Sequence, residues 1–255
     1  MAAEAVALSV VLPAYNEEAS LPEAIDQCRR LVDVFPGTLE VIVVDDGSED
    51  STRTVVEKAL DEWPWLRLVS HDSNLGYGCA IRTGFANATG TFVFYTDADN
   101  QFDITELAEH WPLLENLDML AGYRVYRYDP FPRLFASWVY NRLVRVLFRV
   151  PVRDVDCSFK VMRRSRLDAI VLLATDFFID TEIVARGRKW NWRIAEVGVR
   201  HFPRRAGKTT VRPSDVPKTL RVVIRMWRQI HFPNRARHAA AFRDQQDETK
   251  DFRGS

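Results

Sequence analysis

The chain has 255 residues, of which 47% are hydrophobic, and it carries 35 basic and 35 acidic side chains. This length allows one large α/β domain or two small ones, and this composition supports a sizeable hydrophobic core. No run approaches the roughly 18 consecutive apolar residues of a spanning helix, so we expect that the chain does not cross a membrane.

The zero net charge conceals a strong asymmetry between the two halves of the chain. Residues 1–120 hold 6 Lys and Arg against 22 Asp and Glu, whereas residues 121–237 hold 26 against 9. A basic second half indicates an anionic partner, which could be a phosphate, a nucleic acid or a membrane surface. The alternative is that the two halves complement each other across the fold.

The three cysteines, Cys28, Cys79 and Cys157, lack the spacing of a metal site. Met1 to Val6 is too short and too polar for a secretory signal. An odd cysteine count without such a signal predicts free thiols in a reducing cytosol.

Apolar runs that read as strands alternate with segments of helical periodicity along the chain. Ser20-Leu-Pro-Glu23 matches a capping box with proline in the first turn of a helix. The alternation predicts a wound, mostly parallel α/β sheet with helices on both faces. Strands are predicted at 8–12, 39–44, 66–70, 92–96, 118–124 and 193–199, and helices from 21, from 51, and at 77–88, 103–114, 133–150, 165–173, from 179 and at 216–230.

The central apolar run Phe92-Val-Phe-Tyr-Thr96 ends in Asp97-Ala-Asp99-Asn-Gln101. Ligands of α/β sheets bind beyond the carboxyl ends of the strands, and side chains two residues apart point the same way. Two carboxylates with open positions suit Mg²⁺ or Mn²⁺ carrying a diphosphate. The alternative is a solvated turn in which one aspartate caps a helix.

Four segments together resemble the family-2 inverting glycosyltransferases with a GT-A fold. They are SVVLPAYNEE from Ser9, VIVVDDGSEDST from Val41, NLGYGCAIRTGF from Asn74 and YTDADNQF from Tyr95. The resemblance covers about residues 6–232. Within the family, the chain resembles the polyprenyl-phosphate sugar synthases in particular. It implies one GT-A domain at 1–232, with a nucleotide-sugar half at 6–125, an acceptor and membrane-facing half at 126–232, and a disordered tail at 233–255.

The resemblance also implies roles for individual residues. In these synthases the Asp-x-Asp-x-Gln segment carries the divalent cation, and Arg124 at the end of a strand could neutralise the diphosphate. The implied metal ligands are Asp97, Asp99 and Gln101. The implied donor-nucleotide residues are Pro13, Ala14, Tyr15, Glu17, Asp45, Asp46 and Asp97. The implied catalytic residues are Asp99, Arg124 and Arg205.

The second half contains three segments that resemble the acceptor side of the family. Asp154-Val-Asp-Cys-Ser-Phe-Lys160 is similar to the D-x-x-C-G-F-K segment, with Ser158 in place of glycine. Asp180 or Glu182 could be the base for a hydroxyl acceptor, or only a helix cap. Arg205, Lys208 and Thr209 lie on a basic loop that is similar to the phosphate-binding loop of the polyprenyl-phosphate branch.

These features predict transfer of a hexose from a nucleoside diphosphate sugar to a polyprenyl or dolichyl phosphate, with GDP-mannose as the first donor and UDP-glucose as the second. The alternatives are a family-2 enzyme with a glycan or glycolipid hydroxyl acceptor, and a non-catalytic nucleotide- or membrane-binding protein. A sugar-nucleotide pyrophosphorylase is disfavoured because Pro13-Ala-Tyr-Asn-Glu17 replaces its glycine-rich loop.

Two basic, aromatic-containing helices suggest where such an enzyme would meet its lipid. Arg142, Arg145 and Arg149 share a helical face near Phe135 and Trp138. Arg221, Arg225 and Arg228 form a second stripe, predicted opposite Ile224 and Trp227. We therefore expect a cytoplasmic protein that lies peripherally on the cytoplasmic face of an anionic membrane and does not bind nucleic acid.

Overall fold

The computed structural model describes residues 5–126, 131–203 and 216–232. Seven strands form one mostly parallel sheet in the order β3-β2-β1-β4-β6-β5-β7. The strands are β1 Leu8–Ala14, β2 Leu39–Asp45, β3 Leu66–Ser70, β4 Phe92–Tyr95, β5 Met119–Arg124, β6 Lys160–Arg163 and β7 Ile194–Val199. The helices are α1 Leu21–Val34, α2 Thr52–Leu60, α3 Tyr77–Asn87, α4 Glu106–His110, a 3₁₀ helix Trp111–Asn116, α5 Phe131–Phe148, α6 Arg164–Leu167, α7 Ile179–Lys189 and α8 Val216–His231.

The chain reverses its direction of winding at β1. From β1 it proceeds to β2 and β3 on one side, then crosses to β4 on the other side. All three of these neighbouring pairs are parallel, and Ala14 is in register with Asp45. Such a reversal opens a crevice beyond the carboxyl ends of β1 and β4, where α/β proteins bind ligands. The wound α/β class predicted from the sequence is confirmed.

Strand β6 was missed in the sequence analysis and breaks the parallel pattern. It runs antiparallel between β4 and β5, with Lys160 opposite both Tyr95 and Ala121. Because it is antiparallel, the loop that precedes it lies at the carboxyl ends of both neighbours. Only α6, four residues long, follows where a helix over 165–173 was predicted.

Helices cover both faces of the sheet, and each face has its own hydrophobic core. Alternate residues of the same strand enter opposite cores, as in β1, where Val11 packs on one side and Val10 and Leu12 on the other. The side of Val11 is covered by α3, α5, α7 and α8, and the side of Val10 by α1, α2 and α4. The central strands β1, β2 and β4 are therefore buried on both faces, which explains their predominantly apolar sequences.

Two helices, α1 and α4, differ in detail from the helices predicted from the sequence. α1 begins at Leu21 with Pro22 in its first turn, as predicted, but Ser20 makes no capping bond and instead donates to the Glu17 carboxylate. α4 is shorter than predicted, because the chain tightens into a 3₁₀ helix at Trp111. Its first residue, Glu106, accepts from Arg200 of the segment after β7.

Two of the helices expose basic faces. On α5, Phe135, Trp138, Arg142 and Arg145 are exposed, while Val144 is buried. Arg149 is also exposed, but it lies beyond the last helical residue, Phe148, with a φ of 53°, which corrects its predicted place on this helical face. On α8 the buried positions are Val223, Met226 and Ile230. Ile224 is exposed beside Arg221, Arg225 and Arg228 rather than opposite them, which corrects the predicted division of that helix. None of the helices within the described part of the chain is long and apolar enough to cross a bilayer.

Candidate active site

The polar turns that follow β1, β2 and β4 meet at one edge of the sheet. The Asp46 amide donates to the Ala14 carbonyl at 2.8 Å, and the Thr96 amide donates to the Val11 carbonyl at 3.2 Å. These bonds extend the strand pairing into the turns. The turns after these three strands therefore lie together around the crevice.

The turns after β1 and β2 hold each other in place. The Asn16 amide donates to the Ser48 hydroxyl at 3.0 Å, and the Asn16 carbonyl oxygen Oδ1 accepts from the Glu49 amide at 2.9 Å. Asn16 has a φ of 54°, in the left-handed region that asparagine tolerates. The preceding Tyr15 is 42% exposed, so its ring is accessible to a planar ligand.

The neighbouring carboxylates Asp45 and Asp46 have different surroundings. Asp45 is buried and accepts from the Ser48 amide at 3.1 Å. Asp46 accepts from the Leu75 and Gly76 amides, each at 2.9 Å, and lies 2.6 Å from Nδ1 of His71. Asp46 therefore fixes the loop before α3, a role that was not assigned to it from the sequence.

That loop can approach the second half of the chain closely because of its glycines. Gly76 has a φ of 103°, and a Cβ there would lie 2.4 Å from the Thr175 carbonyl oxygen. The Gly78 amide donates to the same oxygen at 3.0 Å. The segment before α7 is thereby held against the nucleotide-side loop.

Asp97 follows β4 and is held by two hydroxyl groups. Tyr77 donates to Oδ1 and Ser158 donates to Oδ2, both at 2.8 Å. Burial raises the pKa of Asp97, with a further contribution from the charge of Asp99, to about 6. Burial also raises the pKa of Tyr77 well above its usual value, so its phenol stays protonated and donates.

Asp99 and Gln101 complete the turn, which is held from outside by the chain after β7. Asp99 is buried, and its Oδ1 accepts from the Gln101 amide at 3.2 Å. Gln101 donates through Nε2 to the Phe202 carbonyl at 3.1 Å, and its own carbonyl accepts from the Phe202 amide at 2.8 Å. An isolated bridge pairs Phe102 with His201 and brings a buried imidazole beside the turn.

The donor set of this turn fits a divalent cation that is completed by a ligand. Asp97 and Asp99 are close enough for one charge to raise the pKa of the other carboxyl, and a cation would relieve that repulsion. Mg²⁺ and Mn²⁺ accept one or two carboxylates together with phosphate oxygens. Among the described residues, no group of three or more His, Cys, Asp or Glu is placed to hold a metal by itself.

Arg124 is placed at the carboxyl end of β5, but its side chain is engaged. Its Nε and Nη2 donate to the two carboxylate oxygens of Asp154 at 2.7 and 2.6 Å, and both side chains are largely buried. Such a bidentate pair is rigid and specific. Neutralisation of a diphosphate by Arg124 therefore remains a prediction, and it would require sharing or breaking this pair.

The two acids that were considered as a catalytic base are also engaged. Asp180 accepts from the Tyr95 hydroxyl at 2.6 Å and from the buried ammonium group of Lys160. Glu182 accepts from the amides of Leu173 and Ala174 at 2.8 and 2.7 Å and from Arg186. These bonds favour the structural alternative for Glu182, and they place Asp180 in a buried ion pair.

The basic loop predicted to bind the acceptor phosphate, with Arg205, Lys208 and Thr209, lies outside the described residues. The sequence analysis gave no role to Tyr77, and it noted Ser158 only as a departure from glycine. The signal for Ser158 was its place between Cys157 and Phe159, because a hydroxyl buried between two apolar side chains needs a partner.

A wound sheet with helices on both faces and a switch-point crevice define the class of α/β proteins that bind ligands beyond the carboxyl ends of their strands. The chain matches the model of Glycosyl transferase family 2 over residues 9–171 and belongs to that family. It is 31% identical over 225 residues to dodecaprenyl-phosphate galacturonate synthase of Rhizobium johnstonii, covering 87% of this chain and 65% of the relative. It is 29% identical over 213 residues to dolichyl-phosphate beta-glucosyltransferase of Dictyostelium discoideum, covering 75% and 65%.

The curated relatives are longer proteins, and the chain spans about a third to two thirds of their length. Among solved structures, glucosyl-3-phosphoglycerate synthase of Mycobacterium tuberculosis, in complex with Mn²⁺, UDP and phosphoglyceric acid, matches with a TM-score of 0.68 at 22% identity. That match covers 88% of this chain and 78% of the other, and it confirms the GT-A fold.

Proposed function

We propose that the protein is an inverting glycosyltransferase that moves a hexose from a nucleoside diphosphate sugar to a polyprenyl phosphate. The observation that carries the proposal is the turn of Asp97, Asp99 and Gln101 at the switch-point edge, facing the nucleotide-type turns after β1 and β2. Several similar proteins are named for sugar transfer to polyprenyl phosphates, which supports the same acceptor class here.

Each turn has a task in this reaction. The exposed ring of Tyr15 stacks on the base, while Glu17 and Asp45 accept from base and ribose donors. Asp97, Asp99 and Gln101 hold Mg²⁺ or Mn²⁺, which supplies positive charge to the leaving diphosphate when it is bound. In this proposal Tyr77 and Ser158 keep the Asp97 carboxylate in one orientation.

In this proposal the second half of the chain binds the acceptor. An acceptor phosphate oxygen attacks the anomeric carbon, and the bond between that carbon and the diphosphate breaks with inversion. A phosphate is already anionic, so it needs no base to remove a proton. The engagement of Asp180 and Glu182 in internal bonds is consistent with such an acceptor.

We assign the acceptor phosphate to Arg205, Lys208 and Thr209. Arg205 follows Phe202 by three residues, and an extended chain spans at most about 11 Å over three residues. Phe202 itself is hydrogen-bonded to Gln101 of the proposed metal-binding turn. We expect Arg205→Ala to raise the acceptor KM or lower kcat while nucleotide affinity stays nearly constant. An equal loss of nucleotide affinity would assign the loop to the donor.

The lipid acceptor requires the enzyme to reach a membrane surface, and we assign that contact to α5 and α8. Phe135 and Trp138 are 56% and 64% exposed, and they stack on each other beside the exposed arginines of α5. Each basic residue near an anionic bilayer contributes about 1 kcal/mol, screened by salt. The alternative is that these faces are only solvated.

Vesicle sedimentation distinguishes the two. Wild-type protein should sediment with anionic vesicles at low salt and be released at high salt. Changing Arg142, Arg145 and Arg149 to Glu should abolish sedimentation, whereas changing Arg29, Arg30 and Arg53, which lie on α1 and α2, should not. Wild-type protein that ignores anionic vesicles at low salt would exclude the membrane contact and favour a soluble hydroxyl acceptor.

Calorimetry with GDP and UDP, each with and without Mn²⁺, tests the function as a whole. We expect one nucleotide to bind in a metal-dependent manner, and its identity gives the donor base. Transfer from GDP-mannose or UDP-glucose to a polyprenyl phosphate then identifies the sugar. If neither nucleotide binds in the presence of Mn²⁺, the protein is not such a transferase.

A further inference from the structure

The segment Asp154–Lys160 carries a polar side chain at every second position, and three of the four have a partner at the active edge. Asp154 holds Arg124 at the end of β5, Ser158 holds Asp97 after β4, and Lys160 holds Asp180 on α7. The intervening Cys157 and Phe159 are fully buried in the hydrophobic core. Asp156 is the fourth polar residue of this series.

In the sequence, Asp156 lies between Asp154, which contacts Arg124, and Ser158, which contacts Asp97. Its Oδ1 is buried and has no hydrogen-bond partner among the residues that the structure describes. A buried carboxylate oxygen without a partner is costly unless a ligand supplies the donor. This oxygen therefore lies near the Arg124–Asp154 pair at the end of β5.

The charges around Asp156 indicate which kind of ligand fits. Asp156 lies near two carboxylates, Asp154 and Asp180, and near two cations, Arg124 and Lys160. Arg124 is already paired with Asp154, and Lys160 is already paired with Asp180. Burial raises the pKa of Asp156, with contributions from Asp180 and Asp154, to about 7. A further anion would be repelled here, whereas a neutral hydroxyl group could donate to the free oxygen.

We propose that Asp156 binds a hydroxyl group of the sugar that is transferred, beside the Arg124–Asp154 pair. The inference rests on the proposed function and adds a residue that selects the donor by its sugar. Nucleoside diphosphates lack this hydroxyl group, so Asp156 should distinguish a nucleotide sugar from the corresponding nucleotide.

The test compares the two kinds of ligand by calorimetry at pH 8 with Mn²⁺. UDP is paired with UDP-glucose and GDP with GDP-mannose, using wild type, Asp156→Asn and Asp156→Ala. Asp168→Asn is the matched control, because that carboxylate is half exposed on the loop after α6. For the nucleotide that wild type binds, Asp156→Ala should raise the ratio of nucleotide-sugar Kd to nucleotide Kd about tenfold. Asp156→Asn, which retains a neutral acceptor, should raise the ratio less.

Unchanged nucleotide Kd values show that the variants are folded and separate this effect from a structural one. An unchanged ratio in Asp156→Ala would overturn the inference and leave the proposed function intact. A loss of turnover with an unchanged ratio would also overturn it and make Asp156 the base for a hydroxyl acceptor. Absence of nucleotide binding by wild type would overturn the proposed function and this inference with it.

Discussion

Glu40 and Asp118 lie at the amino ends of β2 and β5, whereas Asp97 and Asp156 lie at the opposite edge of the same sheet. All four carboxyl groups are at least partly buried, and burial by itself raises a carboxyl pKa. At the amino edge, bonds from Ser9, Thr89 and Arg67 outweigh burial and lower the pKa of Glu40.

Asp118 shows the same effect more strongly. Bonds from Arg193 and Arg166 outweigh burial and lower its pKa to about 2. At the carboxyl edge, by contrast, the pKa values of Asp97 and Asp156 are raised to about 6 and about 7. Carboxylates at the amino edge are thus satisfied by the protein, while those at the carboxyl edge are held with incomplete compensation. Carboxyl groups with such raised pKa values are typical of functional sites.

The largest effect expected from this difference is on catalysis. Asp99→Asn should leave the fold intact and lower turnover by roughly 10²–10³, because it removes a strong electrostatic stabiliser of the departing diphosphate. The measurement is sugar transfer at saturating Mn²⁺, with thermal unfolding as the check on the fold. EDTA should lower the activity of wild type, and Asp168→Asn should retain it. Full activity of Asp99→Asn, or of wild type in EDTA, would contradict the metal-binding role.

At the amino edge, substitution of a carboxylate should lower the stability of the protein. Asp118→Asn should lower the free energy of unfolding by about 2 kcal/mol at pH 7, because the native pKa of Asp118 lies below its unfolded value. This contribution is fully present above the unfolded pKa near 4 and is lost as the pH falls towards 2. Urea unfolding at several pH values measures it. A loss that is independent of pH would indicate that packing, and not the ion pairs, is responsible.

Substitution of Asp156 should change the free energy of unfolding by less than substitution of Asp118, and in the opposite direction. Its native pKa is raised, so Asp156 costs no stability below pH 4 and destabilises the native state increasingly as the pH rises from about 4 towards 7. Asp156→Asn should therefore unfold with a free energy about 1 kcal/mol higher than wild type at pH 8, and with nearly the same free energy at pH 4. Destabilisation of this variant at pH 8 would show that the carboxylate is satisfied in the native protein.

The sequence predicted the parts of the fold and site that depend on local pattern. Uninterrupted apolar runs such as Phe92–Tyr95 become doubly buried strands, and the Asp97–Gln101 turn lies at a strand end, as predicted. β6 was missed because it has four residues and charged ends, and only the tertiary structure shows that Lys160 is buried against Asp180.

The same limit applies to individual site residues. The engagement of Arg124 by Asp154, and of Asp46 by the loop before α3, joins residues about 30 positions apart. A motif shows that a carboxylate is present but not which of its oxygens other groups of the protein occupy. Motif position therefore predicts where the site lies better than it predicts what each member does.

The antiparallel insertion of β6 also has a consequence for biosynthesis. β4 is finished at Tyr95, but its second neighbour in the sheet ends at Arg163. At about 5–20 residues per second, a ribosome needs several seconds to make the intervening chain. During that time the apolar strand Phe92–Tyr95 has an open edge, which can pair with another chain. A nascent or truncated polypeptide that ends near residue 125 therefore depends on chaperones or dilution to avoid aggregation, even though it contains the nucleotide-side motifs.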